Sequence, residues 1–185
     1  MRLFRTLATV IITLLCASAT FAADLTTAQQ TVLKADVLAN SDTATCYTAG
    51  NLQCLADLYN TAAASDFWVW RTSVARSDVY NEVSPTGSTW SWTTFKNQGA
   101  TEQTAWIQMF MGDQANFAKP NLRDGVAAIF TGSAQANAQQ AHILAIGRRK
   151  ATRAEKLFAT GTGSSASPAT MAIEGSFEFT DFVGL

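Results

Sequence analysis

The chain has 185 residues, 48% of them hydrophobic, which is enough to bury one sizeable core, and no shift in composition divides it into two domains. A formal net charge of −1 with only 15% charged residues excludes a global positive field that would draw it onto nucleic acid or an anionic membrane. Sequence-specific nucleic-acid binding is therefore not expected, and the neutral-polar surface suits burial against other subunits.

Met1 to Ala23 hold Arg2 and Arg5, an apolar run from Leu7 to Leu15, and Thr20-Phe21-Ala22 ahead of Ala23. This is a secretory signal-peptide pattern, too short for a spanning helix, so no stable membrane insertion is expected. A second reading stays open, in which translation starts at Leu25 and the upstream residues are a misassigned start. Residues 24–185 then form the single domain. Within it Cys46 and Cys54 are an even pair with seven residues between them. An oxidising compartment would close them into a disulfide, and a reducing one would leave two free thiols.

Thr26 and Gln29 resemble a capping box for a first helix with Val32, Leu33, Val37 and Leu38 as its buried stripe. Asn51 caps a second helix carrying Leu52, Leu55, Leu58 and Tyr59. Aromatic and β-branched residues dominate Phe67 to Val74, which reads as a strand with Trp68 and Trp70 on one face. Ser84-Pro85-Thr86-Gly87 is a turn, and Ser88 to Phe95 a second extended piece bearing Trp90 and Trp92. Those four Trp fit either the packing of a small sheet or a carbohydrate-binding platform.

Further helices start at Thr101, capped at its end by Gly112, and at Asn121, ending at Gly132. Ser133 caps a long Ala-rich helix expected to run to Phe158, with Gly147 as a kink or a close approach. Five of the thirteen basic residues, Arg148, Arg149, Lys150, Arg153 and Lys156, fall in its last turns. They either complement the helix dipole or contact phosphate or an acidic neighbouring subunit. The Gly/Ser-rich stretch around Gly161, residues 160–170, reads as a flexible arm whose removal would spare the fold. Met171 to Asp181 alternate strictly, with Phe177 and Phe179 on the apolar face, as in a half-buried strand able to pair at home or with another subunit. The expected fold class is α+β: a mainly helical single domain with a small antiparallel sheet that includes this C-terminal strand.

His142 is the only histidine and is expected at a helix surface or boundary. No second histidine, nucleophile elbow or Cys-plus-His arrangement accompanies it. Glu174 and Glu178 would lie two pleats apart, about 13 Å, too far for a glycosidase pair. No catalytic, cofactor-binding or metal-binding residue is assigned, no cofactor is expected, and the chain is not expected to be an enzyme.

Several stretches resemble a family of small proteins of tailed bacteriophages and prophages, encoded among virion genes. They are Leu25 to Gln30 through Leu33 to Asp36, Asp66 to Val74, Pro120 to Arg123, and above all Arg149 to Gly163 with Pro168 to Met171 and Glu174-Gly175. The resemblance spans Leu25 to Asp181. It implies a non-enzymatic virion structural protein of the neck or head–tail junction, assembled in the host cytoplasm beside other virion proteins as a homo-oligomeric ring. It carries no catalytic residues. The family pattern begins where Leu25 stands, which favours the misassigned start, and the segment around Cys46 and Cys54 departs from it. The competing reading is an exported periplasmic binding module using a Trp-bearing sheet. The side chains assigned to interaction are Arg148, Arg149, Lys150, Arg153, Lys156, Trp68, Trp70, Phe177 and Phe179.

Overall fold

The computed structural model describes residues 25–185. The leader and the competing start concern residues 1–24, outside the described residues. The order of elements is α1 (Thr27–Ala39), α2 (Ser41–Thr48), α3 (Leu52–Tyr59), β1 (Trp68–Trp70), β2 (Val74–Ala75), α4 (Arg76–Asn81) and α5 (Trp92–Lys96). Then follow α6 (Ala100–Met109), β3 (Gln114–Ala115), α7 (Pro120–Ile129), α8 (Ala134–Ile146), β4 (Arg148–Lys150), α9 (Arg153–Phe158) and a 3-10 turn at Phe179–Phe182. The fold is mainly helical α+β, with two small antiparallel ladders, β1 with β4 and β2 with β3.

Local chemistry sets α1 and α3. Thr26 and Gln29 form the expected capping box on α1, and Asn51 caps α3 by accepting from the Cys54 N–H at 3.1 Å. Leu33 and Val37 point inward from α1, while Val32 and Leu38 remain exposed. Two helix starts shift from expectation by a residue or two. Gly99 rather than Thr101 precedes α6, and α7 begins with Pro120 at its first position, where the fixed φ of proline suits a helix start.

Two larger rearrangements follow from tertiary contacts. The Ala-rich helix ends at Ile146, not at Phe158. A Cβ at Gly147 would strike the Phe117 ring, so the chain passes Phe117 closely and turns, and Arg148–Lys150 become a strand paired with Trp70–Trp68. Thr152 and Glu155 then form a capping box that starts α9 afresh. The basic residues are therefore not the last turns of one long helix.

The extended piece expected at Ser88 to Phe95 is instead a loop and then α5, because the Ser91 hydroxyl accepts from the Thr94 N–H at 3.1 Å and caps a helix. The C-terminal alternation makes no strand either. The Asn60 side chain takes both backbone groups of Phe177, each at 2.8 Å. Glu178 and Asp181 then cap the 3-10 turn, which rolls Phe179 out to half exposure and Phe182 in. The stretch read as a flexible arm folds back onto β1: Ala169 N–H donates to Trp68 O at 2.9 Å, Trp70 N–H donates to Ala169 O at 3.0 Å, and Thr160 pairs with Thr170. Gly163, at φ +67, abuts the Phe67 ring, and a side chain there would strike that ring.

Buried side chains fall into three groups. A Trp-rich core gathers Trp70, Trp90, Trp106, Phe110, Phe117, Phe130 and Ile143. A second core joins α1, α2, α3 and α9 to the C-terminal segment through Leu33, Val37, Leu55, Tyr59, Ala154, Phe177 and Phe182. Val69, Ala151, Ala169 and Met171 form a small patch at the β1–β4 ladder. No helix among the described residues is long and apolar enough to cross a membrane.

Candidate functional site

The basic block lies on β4 and α9, and the fold engages each of its side chains. Arg149 meets Glu155 through both guanidinium nitrogens at 2.6 Å and reaches Glu174 at 3.2 Å. Glu155 is 1% exposed, so this is a buried carboxylate with a charged, two-point partner. Burial alone would raise the Glu155 carboxyl. Arg149, together with the N–H groups of Thr152 and Gly175, outweighs burial and holds it below its ordinary 4.5. The same hydrogen bonds to Glu155 raise Arg149.

Arg153 reaches Asp42 at 2.8 Å and Asp36 at 3.3 Å, with its guanidinium 4.8 Å from the Tyr59 ring centre. The Thr43 N–H, and then Arg153, hold the Asp42 carboxyl below its usual range. Burial, and then the hydrogen bond to Asp36, push the Tyr59 phenol well above its usual range, so it stays a neutral donor. Lys150 pairs with Asp66 at 2.7 Å, Lys156 donates to Ala64 O at 3.1 Å, and Arg148 donates to Ser165 O beside the Trp68 ring.

Asp36, Asn40, Asp42, Arg153 and Lys156 line an open cleft of about 590 Å³, with Thr61 to Ala64 as its far wall. Two carboxylates face two cations there, so the recess is polar and locally balanced. The sequence reading singled out Arg153 and Lys156 but not Asp36, Asp42 or Tyr59. Their signal is faint in sequence, because α1, α2 and α3 converge on Arg153 only in the tertiary fold.

The Trp side chains divide between packing and exposure. Trp70 is buried beneath Arg123 at 4.6 Å, and burial lowers that guanidinium. Trp90 stacks on Trp106 at 5.4 Å and touches Tyr80 and Phe95. Trp92 stays 58% exposed at the edge of this cluster, on a helix rather than a strand. Trp70 therefore presents no open sheet platform, and Trp68 is half-buried with the Arg148 guanidinium 5.4 Å from its ring centre. Of the two C-terminal aromatics, Phe177 is buried in the second core and only Phe179 reaches solvent.

His142 is not at a surface or boundary but fully buried. Its Nε2 lies 2.8 Å from Val79 O, which can only accept, so Nε2 carries the proton. Nδ1 sits 3.2 Å from the Ser88 hydroxyl, and the ring thus ties α4 and the Ser84–Ser88 turn to α8. Cys46 and Cys54 are joined as a disulfide with Cα atoms 5.8 Å apart. Among the described residues no cluster of three or more His, Cys, Asp or Glu is arranged to hold a metal ion. Comparison with protein families, with curated proteins and with solved structures finds no match.

Proposed function

We propose that this chain is a non-enzymatic structural component of a tailed-phage virion, placed at the neck or head–tail junction in a homo-oligomeric ring with other virion proteins. One observation carries the reading: the block with the most specific resemblance, Arg149 to Gly163, is used to hold the fold together. Arg149 neutralises buried Glu155, Thr152 starts α9, Arg153 ties α9 to α1 and α2, and Gly163 closes the loop against Phe67. A sequence block whose charged side chains are taken up by partners within the same chain suits a building unit. Ile107 on α6, Met111 just after it, and Trp92 are among the apolar side chains exposed to neighbours.

The test is intact mass and N-terminal sequencing of the protein from its native host, in purified particles and in the periplasmic fraction. A chain in particles that starts at residue 25 supports the proposal. A periplasmic chain starting at Ala23 overturns it in favour of the second reading, an exported binding module. The Cys46–Cys54 disulfide favours that second reading, because such bonds persist in oxidising compartments. Its binding surface would then be centred on Trp92 rather than on Trp68 and Trp70.

A further inference from the structure

The C-terminal segment Phe177–Leu185 is seated in a socket made by α2, α3 and α9, and the Cys46–Cys54 disulfide forms part of its wall. The rings of Phe177 and Phe182 lie 6.0 and 5.6 Å from Tyr59 on α3. Asn60 grips the Phe177 backbone at one end. At the other end the Tyr47 hydroxyl, on α2, donates to Leu185 O at 2.8 Å. Tyr47 directly follows Cys46.

Helix α2 has few buried side chains of its own. It has eight residues, its N-cap Asn40 makes no side-chain cap, and only Thr43 and Cys46 are buried. A helix that short is marginal in isolation. The disulfide to α3 is its cross-link, and apart from Tyr47 its polar side-chain ties are the Thr43 hydroxyl bond to Val37 O at 2.9 Å and the half-exposed Asp42 pair with Arg153 at 2.8 Å. The bond is also reachable: Cys46 is buried, but Cys54 is half-buried and lines an open depression with Asn51, Gln53 and Asp57.

We propose that the Cys46–Cys54 disulfide is a redox lock on the C-terminal segment. A thiolate of a small dithiol attacks Cys54 Sγ, the S–S bond breaks, and Cys46 leaves as a thiolate that takes a proton. The second thiol of the reductant then displaces Cys54. Two electrons pass to the protein, which ends with two thiols, and the reductant ends as its own disulfide. A disulfide oxidant reverses the sequence. In the reduced chain α2 is released from α3 and takes Tyr47 with it, so the socket loses one wall and Leu185 its donor. The segment opens while the Trp-rich core, which shares no residue with the socket, stays closed. The lock depends only on the thiol state of the compartment and so holds on either functional reading.

Hydrogen exchange of the whole chain with and without dithiothreitol tests it. The reporting amides are Phe177, Val183 and Leu185, which donate to Asn60 Oδ1, Thr180 O and Phe182 O. On reduction they should exchange roughly 10–100-fold faster, while Phe117 and Phe130, bonded to Arg71 O and Val126 O, keep their rates. A Cys46→Ser, Cys54→Ser double variant should show the same fast segment with no reductant. Unchanged segment exchange in protein whose mass has risen by two hydrogens would overturn the lock. So would acceleration spread evenly over both cores, since the bond would then hold the whole fold rather than this segment.

Discussion

Glu155 is where the basic block is anchored, and its burial decides what each neighbouring cation is worth. Arg149 is its charged partner, so Arg149→Met leaves a carboxylate buried without one and should cost about 3–5 kcal/mol in urea unfolding. Lys150→Met removes a pair whose side chains are 54% and 68% exposed, and should cost under about 1 kcal/mol. Equal losses from the two would refute this ranking. Acid should act through the same residue. The Glu155 carboxyl is held below 4.5 in the fold, so its contribution is complete above that pH and disappears as pH falls through the lower folded value. The denaturation midpoint should therefore drop below about pH 4.5, and Glu155→Gln should flatten that drop while lowering stability near neutrality. In the sequence these residues read only as charges near a helix end, because burial of Glu155 depends on Gly175 and Arg149 arriving from other elements. The burial of His142 is hidden in the sequence for a related reason: a flanking Ala and Ile do not reveal that Val79 O and Ser88 wait on two other segments.

At the scale of elements, residues 160–170 give the sharpest contrast between composition and structure. Gly, Ser and Thr there suggest a free arm, yet Ala169 completes the hydrogen bonding of β1 on the side opposite β4, and its side chain is fully buried with Val69. Deleting Thr160 to Thr170 should therefore lower the thermal midpoint by several degrees and weaken the near-UV Trp signal from Trp68 and Trp70, instead of sparing the fold. An unchanged melting curve would restore the arm. The same stretch shows what was legible. Local signals were sound where one side chain settles the matter: the Thr26 and Asn51 caps, the strand at Trp68–Trp70, and the Ser133 start of α8. The break after Ile146 was also written locally, as Thr152 with Glu155 three residues on, but Ala-rich propensity on one side and helix formers on the other masked it. The C-terminal alternation misled because period two is only a pattern of burial. With Asn60 taking the backbone of Phe177, no partner strand is left to turn that pattern into a ladder.

The whole molecule carries two cores that meet through β4 and α9, and this makes its cooperativity testable. All five Trp lie outside the core built by α1, α2, α3 and the C-terminal segment. Ala154 of α9 belongs to that core, Ala151 packs at the β1–β4 ladder, and the Arg153 N–H donates to Thr61 O at 2.9 Å. Trp70 on β1 then reaches the Trp-rich core. Damage in one core is thus passed to the other through a rigid strand pair. Phe182→Ala removes a side chain 1% exposed and should cost about 3–5 kcal/mol, and the Trp fluorescence transition should shift with far-UV circular dichroism although no Trp touches Phe182. Separate transitions, with the Trp signal unmoved, would mean two independently unfolding units. Coincident transitions are expected because losing the whole second core displaces α9, and with it β4, from the short β1–β4 ladder that Ala169 completes on its other side, whereas opening of the C-terminal segment alone leaves that ladder paired.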